Sequence, residues 1–349
     1  MAKVLVTGAA GQVGCRLVRQ LLARNYEVRA LILPDDPARG RLDGLEVELI
    51  EGNLMDFDLA TKVVDGVDAV IHTANLVGRP AGMSESDFFD NNVRNTLHIV
   101  RAASKRADSL TRLVHISSSS VYPNDTQNIS ACYHPVDERH PLRFSGVYAL
   151  SKMVGEEIVA AHARETRLQT AIIRPTHVRS MEAILERWTV RGVVALLKTG
   201  QANPQSDLFM ADGRELWRDL EGAARSPEQP CAITDDAGRP WMYQPVDARD
   251  VALGCICALE HPAAVGEAFN VSAPRPYTFP EAAELLAQHL GQAVLPWRTP
   301  VRWVYDLDNT KARALIGYQP RWDLPVMVAD ALAVRRGESD GMSQRDLTC

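Results

Sequence analysis

Lys3-Val4-Leu5-Val6-Thr7-Gly8-Ala9-Ala10-Gly11-Gln12-Val13-Gly14 joins an apolar run to three glycines spaced three apart, and Cys15-Arg16-Leu17-Val18-Arg19-Gln20-Leu21-Leu22 follows with apolar residues at helical spacing. Val4 to Val6 read as a strand buried on both faces. Glycines at 8, 11 and 14 suit a chain that must turn sharply, admit a pyrophosphate to its backbone N–H groups and pack a helix closely on a sheet. A helix starting near Gln12 points the positive end of its dipole at those phosphates. Glycine triplets also occur in ordinary turns. The strand before this one and the amphipathic helix after it (Val13, Leu17, Leu21) make it a dinucleotide site.

The chain has 349 residues, 46% of them hydrophobic, and a formal charge of -6, enough to bury a large core in one big domain or two coupled ones. Lys and Arg are dispersed, which argues against nucleic acid or an anionic membrane surface as partner. No run reaches the roughly 18 apolar residues of a spanning helix, and no charged-then-apolar leader precedes the first strand, so a cytoplasmic setting is expected. Six scattered cysteines without CxxC spacing read as free thiols. Cys255, Cys257 and His261 make poor metal ligands, because residues two apart on a helix face different ways, and no metal is expected.

Strands at Tyr26–Leu33, Leu45–Ile50, Val67–Thr73, Leu113–Ser117 and Leu168–Ile173 alternate with helical patterns, one of them from Ser84 towards Ala103. This predicts a doubly wound α/β parallel sheet, a Rossmann domain over residues 1–175. The alternation then weakens. Residues 176–336 read mostly as a smaller C-terminal substrate-binding subdomain, with a helical stretch Met181–Lys198, a polar linker Gln201–Ser206, helices at Asp250–Glu260, Phe279–Leu290 and Asn309–Leu315, and segments such as Ala268–Val271 returning to the sheet. Residues 337–349 read as a mobile tail.

The carboxyl ends of the strands supply the expected cofactor contacts: Gly8, Ala10, Gly11, Gln12, Val13 and Gly14, then Leu33, Asn53, Leu54, Thr73, Ala74, Ile116 and Pro175. Asn92 is either a helix-surface amide or a group bonded to backbone near the site, and it is counted with them. His72 reads as a packed strand histidine. The second strand ends Ile32-Leu33-Pro34-Asp35-Asp36, where two carboxylates would repel a 2'-phosphate; Arg39 and Arg41 reach the site only if the loop folds back. The cofactor expected is therefore NAD, with NADP left open.

Ser117-Ser118-Ser119-Ser120 ends another strand, in the crevice where a substrate hydroxyl or carbonyl would be gripped. Tyr148 and Lys152 share one face of the next helix. A phenol beside an ammonium makes a base at neutral pH, because the positive charge favours the phenolate. In this reading Tyr148 takes the hydroxyl proton, Ser118 holds the same oxygen and Lys152 also bonds the nicotinamide ribose. Ser119, Ser120, His177 and Tyr243 are substrate-side candidates. Arg179 and Arg187 read as ligand contacts or as surface or salt-paired residues, and Trp188, Trp217 and Trp241 more simply as core than as pocket wall.

With Thr7 to Gly14, Gly52-Asn53-Leu54-Met55-Asp56, Val70 to Ala74, Asn92 to Thr96, Ser117 to Tyr122, Tyr148 to Lys152, Arg174-Pro175 and Val265 to Val271, the chain resembles the extended short-chain dehydrogenase/reductases of the NAD-dependent epimerase/dehydratase group. The resemblance runs from Lys3 to about Ala333. It implies that the family's catalytic serine, tyrosine and lysine fall on Ser118, Tyr148 and Lys152, and that a homodimer forms through the helices containing Asn92 and Tyr148. Three departures bear on the reaction. Ser119 and Ser120 stand where dehydratases of the family carry Asp-Glu, His177 where sugar-nucleotide epimerases carry Asn, and Tyr243 where an Arg contacts the nucleotide's phosphate. The loss of one Arg–phosphate bond removes up to about 3 kcal/mol. Hydride transfer at a secondary alcohol of a sugar-like substrate is expected, with a sugar epimerase first. A dehydrogenase or carbonyl reductase acting on a non-nucleotide polar substrate is second, and a non-catalytic NAD(P)-sensing protein is the reading from another class.

Overall fold

A computed structural model of the chain describes residues 1–123, 130–199, 210–211 and 214–339. The expected linker at Gln201–Ser206, part of the loop after Pro123 and all but the first three residues of the expected tail lie outside the described residues.

In the first half, strands β1 (Lys3–Thr7), β2 (Glu27–Ile32), β3 (Glu48–Glu51), β4 (Ala69–His72), β5 (Arg112–Ile116) and β6 (Thr170–Pro175) alternate with helices α1 (Gly14–Ala23), α2 (Phe57–Val64), α3 (Glu85–Ser104) and α4 (Val147–Thr166). The second half holds helices α5 (Met181–Glu186) and α6 (Val190–Lys198), short strands β7 (Met210–Ala211) and β8 (Arg214–Glu215), and helix α7 (Leu216–Ala223). It continues with strands β9 (Cys231–Asp235) and β10 (Met242–Tyr243), helix α8 (Ala248–Glu260), strands β11 (Glu267–Val271) and β12 (Tyr277–Thr278), and helix α9 (Phe279–Leu290). Strands β13 (Leu295–Thr299) and β14 (Val304–Tyr305) and helices α10 (Thr310–Ile316) and α11 (Leu324–Arg335) complete it.

Seven strands form one parallel sheet in the order β11-β6-β5-β4-β1-β2-β3. The chain begins at β1, builds outward to β3 and then crosses to β4, so the strand order reverses between β1 and β4. That reversal opens a crevice at the carboxyl ends of the two strands. Strand residues alternate between two cores: Val4 and Val6 pack with α1 and α8, while Leu5 packs with Val63, Val64, Ile99 and Val159 from α2, α3 and α4. A third core, around Trp188, Trp241, Trp303 and Phe279, holds the second half together.

The expected strand at Leu45–Ile50 is shorter and later, because Leu45 N–H bonds the Leu42 carbonyl and Val47 N–H the Leu45 carbonyl, holding that segment in turns. The helical stretch expected across Met181–Lys198 is two helices. Thr189 Oγ1 donates to the Glu186 carbonyl while Val190 N–H turns to the Gln229 carbonyl and the Trp188 carbonyl accepts from Cys231, so the chain bends to join β9. Helix α11 and the pairing of β9 with β13 carry no local sequence signal strong enough to have been expected.

Candidate active site

The turn after β1 explains its glycines. Gly8 has φ of +66°, and a Cβ there would stand 2.9 Å from Thr73 Oγ1; a Cβ on Gly14 would overlap the Gly8 carbonyl oxygen and come within 2.9 Å of Ala9 Cα. Gly11 N–H closes the turn onto the Gly8 carbonyl at 3.0 Å. Backbone is thereby brought close to backbone, and α1 begins against the crevice.

A cavity of about 960 Å³ runs along the carboxyl edge of the sheet. Gly8, Gly11, Gln12, Val13, Gly14, Leu33, Asn53, Leu54, Thr73, Ala74, Ile116, Pro175, Ser118, Ser120, Tyr148, Lys152 and His177 line it, so the structure brings these expected residues together. Four others stand behind its wall. Ala10 is buried, with its carbonyl taken by Arg41 Nη1 at 3.1 Å, so the loop carrying Arg41 does fold back. Asn92 is buried and clamps the backbone of Leu76, accepting from its N–H at 2.8 Å and donating to its carbonyl at 2.9 Å. Ser119 turns its hydroxyl to the Tyr305 phenol, and Tyr243 is sealed in the third core, where its hydroxyl accepts from Arg179 Nε at 2.7 Å. Asp36, Asn91 and Asn95 line the cavity although the sequence did not mark them as contacts, and so does Arg179, for which a ligand contact was one of two readings.

Ser118, Tyr148 and Lys152 come from two neighbouring elements. Ser118 follows β5 in extended backbone, and its Oγ accepts from Ser120 N–H at 3.1 Å and lies beside the Tyr148 phenol. Lys152 lies one turn along α4 from Tyr148; its Nζ is 5.9 Å from the phenol ring centre and donates to the Ile116 carbonyl at 2.9 Å. Burial pushes the Lys152 ammonium down to about 7, against the opposing charge of Glu156. The Tyr148 phenol is raised by burial, with the Ser118 bond acting the other way. This corrects the expectation that Lys152 lowers Tyr148. Burial and not the Lys152 charge decides the phenol, which holds its proton at neutral pH.

The floor of the site is fixed by paired buried groups. Glu156, one further turn along α4, takes both Nε (2.9 Å) and Nη2 (2.6 Å) of Arg174 from β6, and Arg174 Nη1 donates to the Tyr122 hydroxyl at 2.7 Å. His72 is a packed strand histidine, held by Thr7 Oγ1 at 2.8 Å and pushed down to about 3 by burial and then by the Lys152 charge. At the substrate side His177 stacks on Tyr305 with ring centres 4.4 Å apart, and burial followed by the charges of Arg179 and Arg187 keeps it neutral. Gln12 Nε2 donates to the Arg179 carbonyl at 2.8 Å, joining the glycine loop to this region. Trp188 and Trp241 are core residues. Among the described residues no cluster of His, Cys, Asp and Glu suits a metal, and no helix is long and apolar enough to cross a membrane.

Residues 4–272 match the profile of the NAD dependent epimerase/dehydratase family. A 3 beta-hydroxysteroid dehydrogenase/Delta 5-->4-isomerase of Mycobacterium tuberculosis is 33% identical over 190 residues, covering 51% of this chain but 47% of that protein, so the match spans about half its length. UDP-glucose 4-epimerase of Mycolicibacterium smegmatis is 27% identical over 352 residues, covering 97% of this chain and 99% of the epimerase. Among solved structures, a short-chain dehydrogenase/reductase superfamily protein from Agrobacterium tumefaciens with bound NAD superposes with a TM-score of 0.78 at 27% identity, covering 96% of this chain and 98% of that one.

Proposed function

The chain belongs to the NAD dependent epimerase/dehydratase family, and from that premise we propose that it is a sugar epimerase, moving a hydride at a secondary alcohol of a sugar-like substrate and using NAD. The observation that carries the reading is the meeting of Ser118, Tyr148 and Lys152 in one cavity with the glycine loop. The close backbone packing at Gly8 and Gly14 suits a pyrophosphate lying against main-chain N–H groups. Bound NAD would supply the hydride acceptor. Ser118 and Tyr148, neighbours in the cavity, would hold the reacting oxygen, and Tyr148 would take and return its proton. Lys152, anchored on Ile116, would bond the nicotinamide ribose and supply positive charge beside the phenol. Asp36 on the cavity edge favours a ribose hydroxyl over a 2'-phosphate, which supports NAD over NADP.

Elimination chemistry has little support, since Ser119 and Ser120 carry only hydroxyls and Ser119 is engaged with Tyr305. A second reading, a dehydrogenase or carbonyl reductase acting on a non-nucleotide polar substrate, is favoured by Tyr243: it stands where the family's phosphate-binding Arg is expected and is buried. One experiment separates the readings. An epimerase purifies with nicotinamide and turns over with none added, whereas a dehydrogenase changes absorbance at the reduced-cofactor band in proportion to substrate. If Tyr148→Phe binds NAD and leaves every activity intact, the sensing protein replaces both. The partner helices α3 and α4, packed on each other, are the proposed dimer face, and a cytoplasmic location is part of the same proposal.

A further inference from the structure

Asn95 lines the cavity with 7% of its surface exposed, and its Oδ1 is buried with no hydrogen-bond partner. Other buried asparagines spend that oxygen inside the chain: Asn92 accepts from Leu76 N–H and Asn270 from the Tyr122 hydroxyl. An amide oxygen buried without a donor destabilises the chain that carries it, so Asn95 is not explained by folding alone.

Its place on α3 says which end of the cavity it serves. His98, one turn further along the same face, donates from Nδ1 to the Leu54 carbonyl at 2.8 Å and packs edge-on against Phe57, ring centres 5.4 Å apart. That face of α3 is thereby pinned to the turn after β3, whose Asn53 and Leu54 line the same cavity. With the pyrophosphate on the glycine loop and the nicotinamide beside Lys152, the adenosine half of NAD belongs to this end, past Leu33 and Asp36.

Adenine presents an exocyclic N6 amino group that donates, next to a ring nitrogen, N7, that accepts. A carboxamide is the complement, oxygen for N6–H and N–H for N7. The Asn53 oxygen already accepts from Met55 N–H at 2.9 Å, whereas that of Asn95 has no donor. The Cβ–Cγ torsion of an asparagine is soft, so the Asn95 amide can turn its oxygen to a group arriving in the cavity.

Resting on the NAD reading above, we propose that Asn95 reads the base: its carboxamide pairs with the adenine N6 amino group and selects an adenine dinucleotide over one with oxygen at that position. In a hypoxanthine base two acceptor oxygens would face each other and the pair is lost.

The full chain, freed of any dinucleotide it carries, is titrated by calorimetry with NAD and with nicotinamide hypoxanthine dinucleotide, which differs from NAD only in that base. The wild type should bind NAD on the order of tenfold or more tighter. In Asn95→Ala the preference should shrink below about threefold, chiefly through weaker NAD binding. Asn95→Leu, which fills the space without a hydrogen-bonding group, should do the same and serves if the smaller side chain fails to fold. Equal binding of the two dinucleotides to the wild type overturns the proposal and needs no variant. So does a preference that survives in Asn95→Ala or Asn95→Leu, because another group would then read the base. Failure of the cofactor reading looks different: neither dinucleotide binds, and both readings fall together.

Discussion

The Lys152 ammonium donates to the Ile116 carbonyl at 2.9 Å, tying a side chain of α4 to the last residue of β5, two residues before Ser118. The tie keeps a buried amine within reach of Tyr148 and shortens its freedom to find water. Its proton affinity falls accordingly, to about 7.

That burial has a pH signature. A lysine whose folded pKa lies below its unfolded value near 10.4 burdens the native state fully below about 7 and releases it as pH rises from 7 towards 10.4. Lys152→Met should therefore gain stability over the wild type as pH falls from 9 to 7, by on the order of 1 kcal/mol per pH unit, and the gain should level off below 7. Thermal melts of both proteins across that range check it. A stability difference that does not vary with pH would contradict the buried amine.

Tyr148→Phe keeps the ring and removes the proton carrier. Turnover should fall by about 10²- to 10⁴-fold, while NAD affinity changes little. Steady-state rates paired with a fluorescence titration of NAD separate the two effects.

Gly14→Ala puts a methyl group onto the Gly8 carbonyl and Ala9 backbone, which have no side-chain freedom to yield. We expect a loss of about 1–3 kcal/mol in stability and a weakened dinucleotide site. Gly222→Ala, whose Cβ would meet open space and whose φ, like that of Gly14, is not positive, is the control without the clash. If both variants bind NAD like the wild type, close packing at Gly14 is not what shapes the loop.

Removing one partner of the Glu156–Arg174 pair leaves the other charged and buried. Glu156→Gln or Arg174→Met should each cost about 3–5 kcal/mol in denaturant unfolding, and the double variant less than the sum. Glu156→Gln should also lower the Lys152 pKa further, since Glu156 is the charge that holds it up.

The sheet and the cofactor edge were legible because their signals are local. An apolar strand, a glycine turn and an amphipathic helix lie within the first two dozen residues, and β3, β4 and β5 run into Gly52-Asn53, Thr73-Ala74-Asn75 and Ser117-Ser118, which line the same crevice. The substrate side was much less so. Ser119 finds Tyr305 across 186 residues, and β9 finds β13 through a parallel pairing that no short window encodes. Ala10 and Asn92 sit at the right chain positions but face inward, because spacing reports which residues are near a turn and not which way a loop carbonyl or helix amide is claimed. Arg187 looked like any helix-end arginine, and the rings of Tyr243 and Trp303 that close on it come from distant segments.

One modest contact has a kinetic meaning. The Gln12 amide reaching the Arg179 carbonyl stitches the two rims of the cleft together, one rim belonging to the dinucleotide and the other to whatever reacts with it. A nucleotide lodged between such rims must wait for them to part before it can diffuse away. In the epimerase proposed above, which would borrow an electron pair and hand it back to the same molecule, that delay would keep the loan from being lost to bulk solvent, and loosening the stitch would turn a captive carrier into an exchangeable one.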